Sequence, residues 1–155
     1  MSVTNTMPKN INRTLSRMAE KALLGVQRSL EVIRNEVVAT APVKSGRLVG
    51  SFEGQAEASV SLTKDKVYNV TKLKNGASGV IGTNVPYAKI QEFGGVIKPK
   101  KKKALSWIGD DGERHFAKSV TIKAKHFLTN AIAASESKIL TVITNTLKEK
   151  DASPT

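Results

Sequence analysis

Between Thr14 and Ala41, the apolar residues Leu15, Met18, Ala22, Val26, Leu30, Ile33 and Val37 recur at steps of three and four. That spacing puts them on one stripe of a helix, with Arg17, Glu20, Arg28, Glu31, Arg34 and Glu36 mostly on the other faces. Asn10 or Asn12 is suited to cap the start. Gly25 weakens the middle, and Pro42 disfavours helical geometry at Ala41, so the helix should stop there. From Ser51 to Ile122 the period changes. Ala56, Ala58, Val60 and Leu62 alternate with Glu57, Ser59 and Ser61, which is the period of a strand. Val67–Val70, Gly79–Gly82 and Ser119–Ile122 are further short strands. Leu105–Ile108 and Arg114–Phe116 flank Gly109-Asp110-Asp111-Gly112 as a hairpin. Tyr87 to Phe93 suits one or two helical turns. Helical spacing returns from Phe127 to Lys148, where Leu128, Ile132, Ile139, Ile143 and Leu147 form a stripe with Ala131 and Val142 beside it.

Helix, strands, helix is an α+β order. The expectation is a long N-terminal helix, an antiparallel β-sheet of about four to six strands, and a C-terminal helix packed on the sheet. Residues 10–150 are expected to form a single domain, with 1–9 a flexible N-terminus and 151–155 a flexible tail.

Composition narrows the chemistry. A chain of 155 residues suits one domain with a real core. With no cysteine, disulfide frameworks, thiolate zinc sites, thiol redox chemistry and a cysteine nucleophile are excluded. Two histidines exclude a histidine-rich metal site. Polar residues interrupt every long window, so no apolar run of ~20 residues spans a membrane. Met1–Asn5 lacks a basic start followed by an apolar stretch, so no signal peptide is expected.

Charge adds a location. The chain has 25 Lys and Arg against 13 Asp and Glu, a net +12, and half of that excess, +6, falls in residues 98–125. Its centre is Lys98-Pro99-Lys100-Lys101-Lys102-Lys103. Five like charges in six positions cannot be buried unpaired, so this must be an exposed loop or strand tip. The residue types suit phosphate neutralisation or docking onto an acidic protein surface, and equally a solvated loop. No recognition helix, aromatic platform or zinc motif accompanies them.

A catalytic reading finds little. His115 and His126 have no partner at metal-ligand spacing. Glu53 and Glu57 are four apart with nothing converging on them. Asp110-Asp111-Gly112 lacks the regular acidic positions and closing Glu of a calcium loop. Gly76-Ala77-Ser78-Gly79 lacks the Gly-Lys-Ser/Thr of a phosphate loop. No catalytic residue, metal site or cofactor is assigned, and a small hydrolase has no assembled site to recommend it.

Three segments carry a resemblance. The first is Thr40-Ala41-Pro42-Val43-Lys44-Ser45-Gly46-Arg47-Leu48. The second runs from Ile81-Gly82-Thr83 through Pro86-Tyr87-Ala88 to Glu92-Phe93-Gly94-Gly95. The third is Ala124-Lys125-His126-Phe127-Leu128-Thr129-Asn130-Ala131. In this order, between two long helices, they resemble the tail-component family of long-tailed bacteriophages, which includes head–tail joining and tail-completion proteins. Lys103 to Trp107, before an Asp-Gly turn, is similar to phage virion-morphogenesis relatives. The chain departs from the family pattern at Lys44, His126 and Asn130.

The resemblance implies a structural virion protein, not an enzyme, at the neck or upper tail and made in the host cytoplasm. It further implies a homo-oligomer, with a hexameric ring as the expected form. Partners would be other neck, tail-terminator or tail-tube proteins and packaged DNA, with no membrane. A basic nucleic-acid-binding module is the alternative. Physically, the motif residues read as fold-makers. Pro42 ends the first helix, Gly46 turns the chain, and Leu48 and Phe52 bury against the sheet. Gly82 closes a strand, and Tyr87, Ile90 and Phe93 pack inward. Glu92 is placed to pair with a basic group, Gly94-Gly95 makes a turn, and Phe127 and Leu128 anchor the last helix. The lysines, Lys98 and Lys100 to Lys103, are the docking or DNA-lining candidates.

Overall fold

The computed structural model describes residues 9–43, 46–53, 64–74 and 76–149. The alternating segment 56–62 and the two expected flexible ends lie wholly or mostly outside them. Among the described residues the elements run α1 (Lys9–Thr40), α2 (Arg47–Glu53), β1 (Lys66–Leu73), β2 (Gly76–Thr83), α3 (Ala88–Phe93), β3 (Gly95–Ile97), β4 (Leu105–Ile108), β5 (Arg114–Ala117), β6 (Val120–Ile122) and α4 (Phe127–Lys148). The class is α+β, as the periodicity predicts. Asn10 and Asn12 lie within α1, so neither caps it. Ser51 to Glu53 are helical rather than the lead into a strand.

The strands do not form one sheet. They pair as three antiparallel ribbons, β1 with β2, β3 with β6, and β4 with β5. The first ribbon lies on α1, where its tight approach is visible at Gly79. A Cβ there would stand 2.7 Å from Val26 Cγ1 and 2.8 Å from Leu30 Cδ1.

The last helix packs chiefly along α1, not on a sheet. The two run antiparallel. Thr40 Oγ1 lies 3.3 Å from the Phe127 carbonyl at one end, and the Lys21 ammonium donates to the Glu149 carbonyl at 2.6 Å at the other. Arg28 pairs with Glu149 and donates to Thr146 Oγ1 at 3.0 Å, and Lys138 pairs with Glu36. The buried residues of α4 are Phe127, Ala131, Ser135 and Thr146. Ile132 and Leu147, expected on the packed stripe, are exposed. The reason is size. Two helices approach closely where side chains are small, and α1 offers Gly25 and Ser29 there. The buried hydroxyls are satisfied within their own helices: Ser29 donates to the Gly25 carbonyl at 2.7 Å, Ser135 to Ala131 at 2.7 Å and Thr146 to Val142 at 2.8 Å.

Gly25 is not required by that approach. A Cβ would sit 3.8 Å from Ile143 Cα and Cγ1 and 3.9 Å from Thr146 Cβ, ordinary contact distances. Gly25→Ala is therefore expected to stabilise the chain by about 0.5–1 kcal/mol by removing a glycine from a helix interior. A higher urea midpoint at unchanged slope checks this; a lower midpoint means the helices cannot admit the methyl group.

The core sits at the C-terminal end of α1. Val37, Ala41, Leu48, Phe52, Val85, Ala88, Phe127 and Ala131 are buried together. Phe52 and Phe127 meet edge to face with centroids 6.3 Å apart. Leu48 and Phe52 are thus buried as expected, against α1 and α4 residues as well as β2.

Candidate docking site

Residues 95–122 fold back on themselves as a β-arm. β3 leaves the body after Gly94–Gly95, β6 returns beside it, and the β4–β5 hairpin lies between them in sequence. The arm's strands contact one another and touch the helices only sparsely. The connection from β3 to β4 carries Lys98, Lys100, Lys101, Lys102 and Lys103, all exposed. Pro99, Lys100 to Lys102 and Ala104 to Ser106 line a shallow groove of about 250 Å³.

The hairpin turn forms as its Asp and Gly residues predict. Gly112 has φ +79°, and Gly109 donates to the Glu113 carbonyl at 2.8 Å. Asp111 Oδ1 accepts from the Glu113 amide at 3.0 Å, and Asp111 Oδ2 lies 2.9 Å from His115 Nε2. The hydrogen bond from His115 leads the causes that hold the Asp111 carboxyl below its ordinary value. His115 also stacks on Trp107 with centroids 5.6 Å apart. Among the described residues no group of three His, Asp or Glu side chains is placed to hold a metal ion. Opposite that stack, Phe116 faces Ser106 and Ile108 faces Arg114 across the ladder. Directly opposed residues share a face, and all four are exposed.

At the base of the arm is a joint that sequence reading did not find. Glu92 is buried, and its partner is not a basic group. Its Oε2 accepts from the Leu128 amide at 2.9 Å, and its Oε1 accepts from the Thr129 amide at 3.0 Å and the Thr129 hydroxyl at 2.6 Å. A helix leaves its first amides without partners, and a side-chain acceptor normally comes from the residue just before it. That residue, His126, has φ +50° and provides no side-chain cap. Glu92 supplies the acceptor from 36 residues away. Burial alone pushes its carboxyl up. The three hydrogen bonds and nearby His126 outweigh burial and hold it below its ordinary value. The backbone reinforces the joint, since Lys125 and His126 amides donate to the Gln91 and Glu92 carbonyls at 2.8 and 3.0 Å. Gly94 follows at φ +70° and ψ −175°.

The other motif residues also make structure. Pro42 follows the end of α1 and is half-buried, and Gly46 has φ +70° at the entry to α2. Arg47 grips Asp65 through two bonds, Nε–Oδ2 at 2.6 Å and Nη2–Oδ1 at 3.0 Å. These hold the Asp65 carboxyl down, and its backbone carbonyl accepts from Asn84 at 2.7 Å. Thr83 Oγ1 lies 2.7 Å from the buried Ser51 hydroxyl and accepts from the Val85 amide at 3.1 Å. Gly82 sits opposite Val67 near the end of β2. Tyr87 is half-buried and Leu128 partly so. Phe93 departs from expectation. It is 65% exposed, while Ala88 and Glu92 take the buried positions of α3. A helix of six residues has room for only one inward stripe, and i, i+4 won over i, i+3.

Among the described residues, buried Glu92, Asp65 and Ser51 join elements to one another, and half of the net positive charge falls in residues 98–125. The chain belongs to the HK97-gp10-like family, whose description reads "Bacteriophage HK97-gp10, putative tail-component", matching over residues 5–94. It is therefore related to phage tail structural proteins. The match holds the first motif segment and the second as far as Gly94, and it ends before the basic arm and α4. No curated protein and no solved structure matches the chain significantly.

Proposed function

We propose that the protein is a tail-completion or head–tail joining subunit of the neck or upper tail, made in the host cytoplasm and built into the virion as a sixfold ring. Residues 10–150 act as one folded unit, and the work is assembly and docking, with no catalytic role. The basic arm carries this reading. Five lysines stand exposed on a ribbon that leaves the helical body, and family membership supplies the setting. In this reading Lys98 and Lys100 to Lys103 meet an acidic neck, tail-terminator or tail-tube partner. Charge steers such an encounter and fixes register more than it adds affinity.

Replacing Lys100 to Lys103 with Ser is expected to leave folding intact and to lower the yield of joined, infectious particles. Unchanged yields reject the lysine arm as the docking element. The second reading, nucleic-acid contact, is favoured by Trp107 and Phe116 lying exposed on the hairpin that follows the lysines in sequence. DNA affinity that falls steeply with salt, and is lost in the same variant, selects packaged DNA over a protein partner.

A further inference from the structure

The hairpin of the arm has an unpaired side. Among the described residues, β5 pairs with β4 alone. The register tells which backbone groups this leaves over. Gly109 donates to the Glu113 carbonyl at the turn, so those two form a hydrogen-bonded pair. Such pairs alternate along an antiparallel ladder. Trp107 with His115 and Leu105 with Ala117 therefore bond across it, whereas the N–H and C=O groups of Arg114 and Phe116 point away from β4. An edge of this kind is a template for one more strand. The side chains of the same two residues share a face with Ser106 and Ile108. On it Phe116 is 67% and Ile108 54% exposed. Lys118, also exposed, stands two residues beyond Phe116.

Charge selects what fits this edge. A strand laid along it meets Lys118, Phe116 and Arg114 at every second residue, a basic, apolar, basic series. Alternate residues of a strand share a face, so the complement is acidic–x–apolar–x–acidic. The turn beyond Arg114 holds Asp110, Asp111 and Glu113, and their like charge ends an acidic segment there. A second copy of this chain does not supply the complement from its described strands. None of β1 to β6 contains Asp or Glu. Two arms would also repel, each with +6 over residues 98–125. A nucleic-acid strand fits less well. Stacking wants aromatic rings along one face, and Trp107 lies on the opposite face of the hairpin from Phe116, against His115.

We propose that β5 takes a third strand from another protein, an extended segment of the form acidic–x–apolar–x–acidic, with its apolar residue against Phe116 and its carboxylates at Lys118 and Arg114. Main-chain hydrogen bonds to Arg114 and Phe116 hold the segment, and its alternate side chains select it. The proposal rests on the reading that the arm meets an acidic neck or tail protein, and it names the form of the partner: the lysines steer the approach, and β5 seats what arrives.

The probe is the synthetic peptide Thr-Glu-Thr-Phe-Thr-Asp-Thr, blocked at both ends and titrated into the full chain. Binding is followed by the fluorescence of Trp107, the one tryptophan, and by amide hydrogen exchange. The expected result is binding that slows exchange at the Arg114 and Phe116 amides. A peptide with Lys in place of Glu and Asp should not bind. Phe116→Ser, at an exposed position, should keep the helical signal and weaken binding by roughly tenfold or more. Binding that leaves those two amides unprotected overturns strand addition. If the peptide does not bind, while replacing Lys100 to Lys103 with Ser still lowers the yield of joined particles, the proposed seat is overturned and docking through the lysines stands. If that replacement changes nothing either, both readings fall. Oligothymidine that binds at Phe116 where the peptide does not overturns the proposal in favour of nucleic acid.

Discussion

Gly94→Ala is expected to destabilise the protein by about 3 kcal/mol or more. Two penalties combine. At φ +70° and ψ −175° the residue occupies a region that is essentially glycine-only, a cost of about 1–3 kcal/mol for any other residue. The added Cβ would also stand 2.7 Å from the Ala124 nitrogen and 2.8 Å from the Ile122 carbonyl oxygen. Both are backbone atoms at the root of the arm, so neither can rotate away. The turn at Gly94 and the return strand β6 would have to separate, taking with them the Lys125 and His126 hydrogen bonds to α3. Urea denaturation measures the loss. A change below about 1 kcal/mol, within the range of ordinary surface substitutions and a little beyond, would show that the arm's root can open at little cost.

Glu92→Gln comes second, at about 2 kcal/mol. The amide keeps the volume but replaces one acceptor oxygen with a donor, so at least one of the Leu128 and Thr129 amides or the Thr129 hydroxyl is left facing a donor in a buried place. The charge that favours a helix N-terminus is lost as well. The effect has a pH signature. Since the folded carboxyl titrates below its ordinary 4.5, the unfolded chain takes up the proton first, and protonation favours unfolding. The stabilisation is therefore complete above the ordinary value and declines as pH falls through the depressed one. The stability gap between the parent chain and Glu92→Gln should be full at neutral pH and shrink in the acid range below 4.5. A gap that stays constant with pH would mean that the carboxylate's charge is not what holds α4.

How much of this could be read from the residues depends on the range of the interaction. Local signals were enough for α4, whose span from Phe127 to Lys148 coincides with the structure, for the stop of α1 before Pro42, and for the hairpin around Asp111 and Gly112. In each, the determining contacts lie within a few residues. α2 escaped because seven residues hold too little period to separate a helix from the start of a strand. The division into three ribbons was not visible either, since alternation reports that a strand exists and not which strand it joins. The rotation of α4 ran against a count of large apolar residues. Close helix packing selected Ala131, Ser135 and Thr146 instead. The Glu92 cap spans 36 residues and no local pattern announces it. Its only trace was that two motif segments, one containing Glu92 and the other Thr129, occur in the same chain. The lysine arm was legible as exposed, because electrostatics forbids burying five unpaired like charges.

The pairing of α1 with α4 also sets an order of events during synthesis. Arg28 and Thr146, hydrogen-bonded across the helix pair, are 118 positions apart. Contacts of such long range close late, because the intervening chain must be ordered or looped out before they can form. During synthesis the face of α1 that packs on α4, at Gly25 and Ser29, therefore stays uncovered until α4 has been made, and over that interval it is open to chaperones and to promiscuous association. Closure of the helix pair thus waits for residues 127–149, and a chain released before them lacks the partner face of α1.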